Sequence, residues 1–218
     1  MSTYPIFKNK KNETLVFYSC PKNGNTSAKL FFAKHLGIEN NFYFTQDEIP
    51  KFKYEESSKK VLEIKKSGKK TNLVNIWPNH QKFEKVDATY KCCIIRDPIE
   101  RFLSAYRNRI LFHKDSDFFE YTIDSIIDNL LNNNFKNKHF LPQYYYLGND
   151  LSYYNFCENI NKIKEFEKYI NNFFGNNIFF PKLQTGGNDK KIELSSNQTE
   201  KIKYIYKKDF DIFEKNFK

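Results

Sequence analysis

The chain carries only four cysteines in 218 residues, and they do not read as a disulfide framework. Cys92 and Cys93 are adjacent on an apolar run that reads as a strand, so their side chains face opposite ways. No pair is spaced as CxxC, which removes the common zinc and dithiol redox motifs. Reduced thiols are the simplest reading, and a cytoplasmic location is the expectation. No apolar run approaches the length of a membrane span. The opening MSTYPIFKNKKNET has no apolar core of signal-peptide length. Internal repeats are absent, and no break is clear enough to divide the chain. One domain over residues 1–218 is expected, long enough to bury a core without staples. Acidic residues are outnumbered, 26 against 36 Lys and Arg, for a net charge of +10. That surplus points to an anionic cofactor, an acidic acceptor, or both. An AT-rich genome gives the same excess of Lys, Asn, Ile and Phe, and the lysines are spread rather than clustered.

What is present is organised around Leu15 to Leu36, LVFYSCPKNGNTSAKLFFAKHL. Leu15 to Tyr18 reads as a buried strand. A tight polar turn follows, Pro21-Lys22-Asn23-Gly24-Asn25-Thr26, and an amphipathic helix starts at about Ser27. A strand, a small-residue turn and a helix N-terminus make an anion cradle, because backbone N–H groups and the helix dipole favour negative charge there. Lys22 adds a cation; Thr26 and Ser27 add hydroxyls. The cradle is not a Walker A loop, since Lys22 precedes Gly24 and Asn25 precedes Thr26.

The helix carries Ala28, Phe31, Phe32 and His35 on one face, and Gly37 is its natural stop. Residues 38–70 read as a polar surface excursion with short helices around Ser57 to Lys66. Leu73 to Trp77 reads as a strand ended by Pro78, with Asn79, His80 and Gln81 at its C-terminal edge, where open α/β sheets bind ligands. Lys91 to Ile95 is a second buried strand, ended by Arg96. Asp97, Pro98 and Glu100 form a strong helix start. That helix places Ile99, Phe102, Leu103, Tyr106 and Ile110 on its apolar side and Arg101, Ser104 and Asn108 on its polar side. Further helices are expected over Asp117 to Leu131, Ile160 to Phe174 and Ser196 to the C-terminus, with a short strand at Asn155 to Cys157. Alternating strands and helices argue a three-layer α/β fold with a central, mainly parallel sheet.

Arg96 leaves its strand on the same rim as the cradle, and Ser104 lies about two helical turns on. A guanidinium and a hydroxyl converging there suit a second phosphate. No strand ends in a clear magnesium-binding Asp, which disfavours a magnesium-dependent nucleotide triphosphatase.

Together the two segments resemble the cofactor signatures of the sulfotransferases. PKNGNTS is similar to the loop that holds the phosphosulfate end of 3′-phosphoadenosine 5′-phosphosulfate (PAPS), and RDPIERFLSAY to the segment that holds its 3′-phosphate. The second wording is close to the carbohydrate sulfotransferase branch. His139-Phe140-Leu141-Pro142-Gln143 and Tyr206-Lys207-Lys208-Asp209-Phe210 resemble further elements of that branch. The resemblance spans about residues 15–213. It implies a P-loop-like sulfotransferase fold. It also implies that Lys22, Asn23, Gly24, Asn25, Thr26 and Ser27 bind the 5′ end, and that Arg96 and Ser104 bind the 3′-phosphate. Its reaction is in-line sulfuryl transfer to a carbohydrate hydroxyl, on an acidic or neutral glycan, leaving adenosine 3′,5′-bisphosphate. Lys22 would neutralise the leaving phosphate oxygen. No metal and no nucleic-acid partner is implied.

Four histidines are candidates for a general base. His80 resembles the histidine base of glycan sulfotransferases. His139 is second choice, His35 falls on an apolar helix face and reads as core, and His113 reads as a helix C-terminal cap. Tyr144-Tyr145-Tyr146 reads as core or subunit contact, or as a stacking surface. Thr185 to Lys191 reads as a surface loop or as a cover for the cofactor. Two rivals stay open: a magnesium-dependent kinase-like enzyme, and a non-enzymatic basic module for polyanions.

Overall fold

The computed structural model describes residues 4–39, 42–44, 50–52, 81–114, 121–134, 137–183 and 191–216. β1 (Ile6–Lys8), β2 (Thr14–Tyr18), β5 (Tyr90–Ile95) and β6 (Phe156–Asn159) form one sheet in the order β1-β2-β5-β6. β2, β5 and β6 run parallel, and β1 is an antiparallel edge. β3 (Phe42–Phe44) and β4 (Pro50–Phe52) pair apart from it. The fold is mixed α/β with a mainly parallel sheet.

Strand alternation divides the core. Leu15 and Phe17 of β2 join Cys92 and Ile94 of β5 on one face. That face packs on α1 (Asn25–Leu36) through Ala28, Phe31 and Phe32, and on α5 (Ile163–Phe174) through Phe166, Ile170 and Phe174. Val16, Tyr18, Cys93 and Ile95 point the other way. They meet Tyr146 and Leu147 of α4 (Gln143–Leu147) and Phe213 of α7 (Lys207–Phe213). Helices therefore cover both faces, and Cys92 and Cys93 lie in different cores as free thiols. A third cluster joins α2 (Pro98–Tyr106), α3 (Ile123–Leu131) and α6 (Ser196–Ile205) through Phe102, Ile126, Ile127 and Ile202.

Phe31 and Phe32 are fully buried. Each such ring contributes roughly 1.5–3 kcal/mol, so this stripe fixes where the N-terminus of α1 points. The helix begins at Asn25 rather than Ser27, because Gly24 takes the left-handed N-cap conformation, φ 76°. Gly37 ends it, φ 64°. Asp97 caps α2 through its Oδ1, which accepts from Ile99 N at 2.9 Å and Glu100 N at 3.0 Å.

Elsewhere tertiary contacts move the boundaries. The helix expected to reach Ile110 changes at Tyr106 into a π-helical turn, Arg107–Phe112. The C-terminal helix breaks at Tyr206, whose fully buried side chain donates its OH to Phe140 O at 2.7 Å. The expected strand at Asn155 to Cys157 lies at Phe156–Asn159, and the helix expected from Ile160 opens with a 3-10 turn, Ile160–Lys162. The strand expected at Leu73 to Trp77, the helix around Ser57 to Lys66, and loop residues 185–190 lie outside the described residues. Among the described residues, no helix is long and apolar enough to cross a membrane.

Candidate functional site

Because β2 and β5 are parallel, both end on one edge of the sheet. The loop Ser19–Gly24 follows β2 there, and Arg96 follows β5. The loop folds on itself: Asn23 N donates to Cys20 O at 3.2 Å, and Lys22 and Gly24 both have left-handed φ, 71° and 76°. A Cβ at Gly24 would sit 3.2 Å from Ile160 Cδ1, so the turn has little room for a side chain there. Asn23 is buried and turned inward. Its Nδ2 donates to Ile94 O and to Gln143 Oε1, both at 2.8 Å. Asn23 thus spends its side-chain donors on β5 and α4, beneath the loop.

The helical ladder of α1 starts at Ala28 N, which donates to Gly24 O at 2.9 Å. Asn25, Thr26 and Ser27 therefore form its first turn, at the positive end of the helix dipole. Ser27 Oγ accepts from Leu183 N at 3.1 Å, which docks the segment before residue 184 on this turn.

Lys22 Nζ donates to Asn108 Oδ1 at 2.8 Å. Burial first, then Arg109, Arg96 and Arg101, push the Lys22 ammonium down from 10.5 to about 7. Arg96 Nη1 donates to Lys22 O at 3.3 Å, and Arg96 Nε lies 3.5 Å from Glu100 Oε2. The cradle and the Arg96 segment are thus in direct contact. Ser104 lies half-buried on α2, the helix that Arg96 and Asp97 introduce.

Arg101 departs from expectation. It is only 1% exposed and does not lie on a solvated face. Its Nη1 donates to Pro21 O at 3.4 Å and His139 O at 3.2 Å, and its Nη2 to Leu141 O. The face of α2 that reads as polar is covered by the loop after β2 and by residues 139–141, so the guanidinium serves as an internal strut.

His80 lies outside the described residues. The chain resumes at Gln81. Tyr4 OH donates to Lys82 O at 3.2 Å, and the Tyr4 ring sits 4.5 Å from that of Tyr18, the last residue of β2. Residues 81 and 82 therefore run beside the edge that carries the cradle. His139 is half-buried and supplies its carbonyl to Arg101. His35 is core: its ring stacks on Phe174 with centroids 4.6 Å apart, and burial pushes it down to about 4. His113 ends the π-helical turn. Among the described residues, no group of His, Cys, Asp and Glu is arranged to hold a metal.

Sequence reasoning gave no site role to three residues here. Asn108 stands four positions beyond Ser104, and that spacing is the signal that places it toward the site. Arg109 joins the cations around Lys22 with no local signature. Gln143, fully buried, reaches the loop across 120 positions of sequence.

A family model described as "Sulfotransferase family" matches residues 5–216 of the chain. No curated protein and no solved structure matches it.

Proposed function

We propose a donor, an acceptor class and residue roles for this chain, which belongs to the sulfotransferase family and is a sulfotransferase. The donor is PAPS, the acceptor is a hydroxyl of a carbohydrate, acidic or neutral, and the second product is adenosine 3′,5′-bisphosphate. The observation that carries this reading is the 3.3 Å contact between Arg96 Nη1 and Lys22 O, on the edge where two parallel strands end. A nucleotide with anionic groups at both its 3′ and 5′ positions needs cations from both segments on one edge. The residues present fit such a ligand. Arg109 and Arg96 lie close enough to Lys22 that each opposes its charge, and a bound polyanion relieves that repulsion.

The donor supplies an activated sulfuryl group and a phosphate leaving group. Gly24, Asn25, Thr26 and Ser27 hold its 5′ end through the loop backbone, the α1 N-terminus and two hydroxyls. Asn23 supports that loop from within. Arg96 and Ser104 hold the 3′-phosphate. Lys22 neutralises charge that grows on the leaving oxygen, and His80 takes the proton of the acceptor hydroxyl. Support for His80 is the course of Gln81 and Lys82 beside the end of β2. Positioning and charge stabilisation carry such a transfer, as they do for phosphoryl groups. A cytoplasmic setting belongs to the same proposal; the four cysteines are free thiols.

Calorimetry with adenosine 3′,5′-bisphosphate in chelator, against ATP with magnesium, tests the reading. Metal-independent binding of the bisphosphate supports it. Binding of ATP alone, and only with magnesium, replaces it with the kinase-like rival. Heparin binding that survives loss of Lys22 and Arg96 together, with no bisphosphate binding, replaces it with a polyanion module.

A further inference from the structure

We propose that Gln143 is a positioning residue of the donor site, the amide that keeps the Lys22 loop and Arg96 in fixed relation. The proposal rests on the donor-site reading above. Gln143 opens α4 and is 0% exposed. Its Oε1 accepts from Asn23 Nδ2 at 2.8 Å and from Arg96 N at 3.0 Å. Its Nε2 donates to Arg96 O at 2.7 Å. One side chain therefore grips both backbone groups of Arg96 and the residue next to Lys22. Gripping both sides of Arg96 sets the direction in which its guanidinium leaves the strand. The bond to Asn23 sets the height of the loop above the sheet edge.

The clamp is itself held from behind. Gln143 N donates to Asp209 Oδ2 at 2.7 Å and Tyr144 N to Asp209 Oδ1 at 2.9 Å, so the Asp209 carboxylate covers the first turn of α4. Burial lifts this carboxyl above its usual range, against the pull of Arg101 and the two N–H donors. Arg101 ties Pro21 of the loop to His139 and Leu141, just before Gln143. The segments 139–143 and 206–209 thus form a polar backing to both anion-holding segments. Bulk stability alone is served as well by apolar side chains of similar volume. What a satisfied buried amide adds is a single geometry for the groups it bonds. Here those groups belong to the two segments that the donor would bridge.

The test uses Gln143→Met, which keeps the volume and removes every side-chain hydrogen bond. Adenosine 3′,5′-bisphosphate affinity is expected to fall at least tenfold, and donor KM to rise in step, with acceptor KM within twofold of wild type. Ile170→Ala, in the core on the other face, serves as the stability control. It should lower Tm with bisphosphate affinity unchanged. In an Asn23→Ala background, Gln143→Met should cost clearly less than it does alone, because the shared bond is already gone. Should Gln143→Met not fold, Gln143→Asn, the same group drawn back by one methylene, is read in the same way. An affinity within twofold of wild type overturns the positioning role. So does a loss no larger than that of Ile170→Ala at equal Tm. A wild-type protein that does not bind the bisphosphate at all removes the donor-site reading itself, which separates the two failures.

Discussion

The ammonium of Lys22 donates to the side-chain oxygen of Asn108 across 2.8 Å, joining the loop after β2 to the π-helical turn after α2. Asn108 is a neutral acceptor. It satisfies one ammonium proton without the pKa rise that a carboxylate would bring, so burial and the neighbouring arginines keep Lys22 near 7. π-helical turns often mark functional positions, and this one sets Asn108 against the loop.

The first prediction concerns pH. Lys22 is largely neutral at pH 8 in the free protein, because its pKa of about 7 lies below that pH. A bound bisphosphate favours the charged form and raises that pKa. Binding should therefore take up protons above pH 7, approaching about one per site, with affinity falling up to about tenfold per pH unit. Calorimetry in buffers of different ionisation enthalpy measures this, and Lys22→Met should abolish the uptake. For the ligand-free fold the sign is opposite. The buried ammonium destabilises below pH 7, and the penalty fades as pH rises from about 7 toward 10.5.

On the proposed assignment, Arg96→Ala would remove a charge-assisted contact to the 3′-phosphate. Bisphosphate affinity should drop about 10- to 100-fold, the range for losing such a bond. Ser104→Ala should cost less, about 2- to 10-fold, as a neutral hydroxyl does. Acceptor KM should stay unchanged in both. Isothermal titration together with steady-state kinetics separates the terms, and equal losses for donor and acceptor would remove the 3′-phosphate assignment.

His80→Ala should lower kcat about 10²- to 10⁴-fold, the usual contribution of a general base, with donor KM nearly unchanged. His139→Ala should leave turnover close to wild type, because the contact of that residue with Arg101 comes from its backbone carbonyl. The reverse pattern would move the base role to His139.

Arg101→Leu leaves the carbonyls of Pro21, His139 and Leu141 without their buried donor. It also leaves Asp209 without the positive charge that draws its pKa down. A loss of about 3–5 kcal/mol is expected, as for a broken buried pair. Chemical denaturation measures it; a loss under about 1 kcal/mol, the scale of a surface pair, would return Arg101 to the surface role that its sequence position suggests.

The elements legible in the sequence are those set by local rules. The Leu15 and Lys91 strands, the Asp97-Pro98 helix start, the Gly37 stop and the opposed faces of Cys92 and Cys93 follow from alternation, capping and turn chemistry. What escaped reading depends on distant partners. Arg101 is misread because a helix face covered by polar backbone looks, in sequence, like one facing water. Gln143 stands in a segment that resembles a family element, but its role is hidden for the same reason: its partners are a backbone carbonyl, a backbone N–H and an amide far along the chain. β1 is three residues long and gains its identity only by pairing with β2. Of the candidate site, the loop and Arg96 are legible as two candidate segments on one rim, whereas their direct contact and the inward turn of Asn23 are products of the fold.

The backbone of Lys22 sits at φ 71°, in a region that side chains avoid at a cost of roughly 1–2 kcal/mol. A glycine there would escape both that strain and the buried charge. Below pH 7, Lys22→Gly should therefore melt at a higher temperature than the natural chain, and on the proposed role it should lose turnover, so a selection for heat resistance alone would discard the side chain proposed to act on the leaving oxygen.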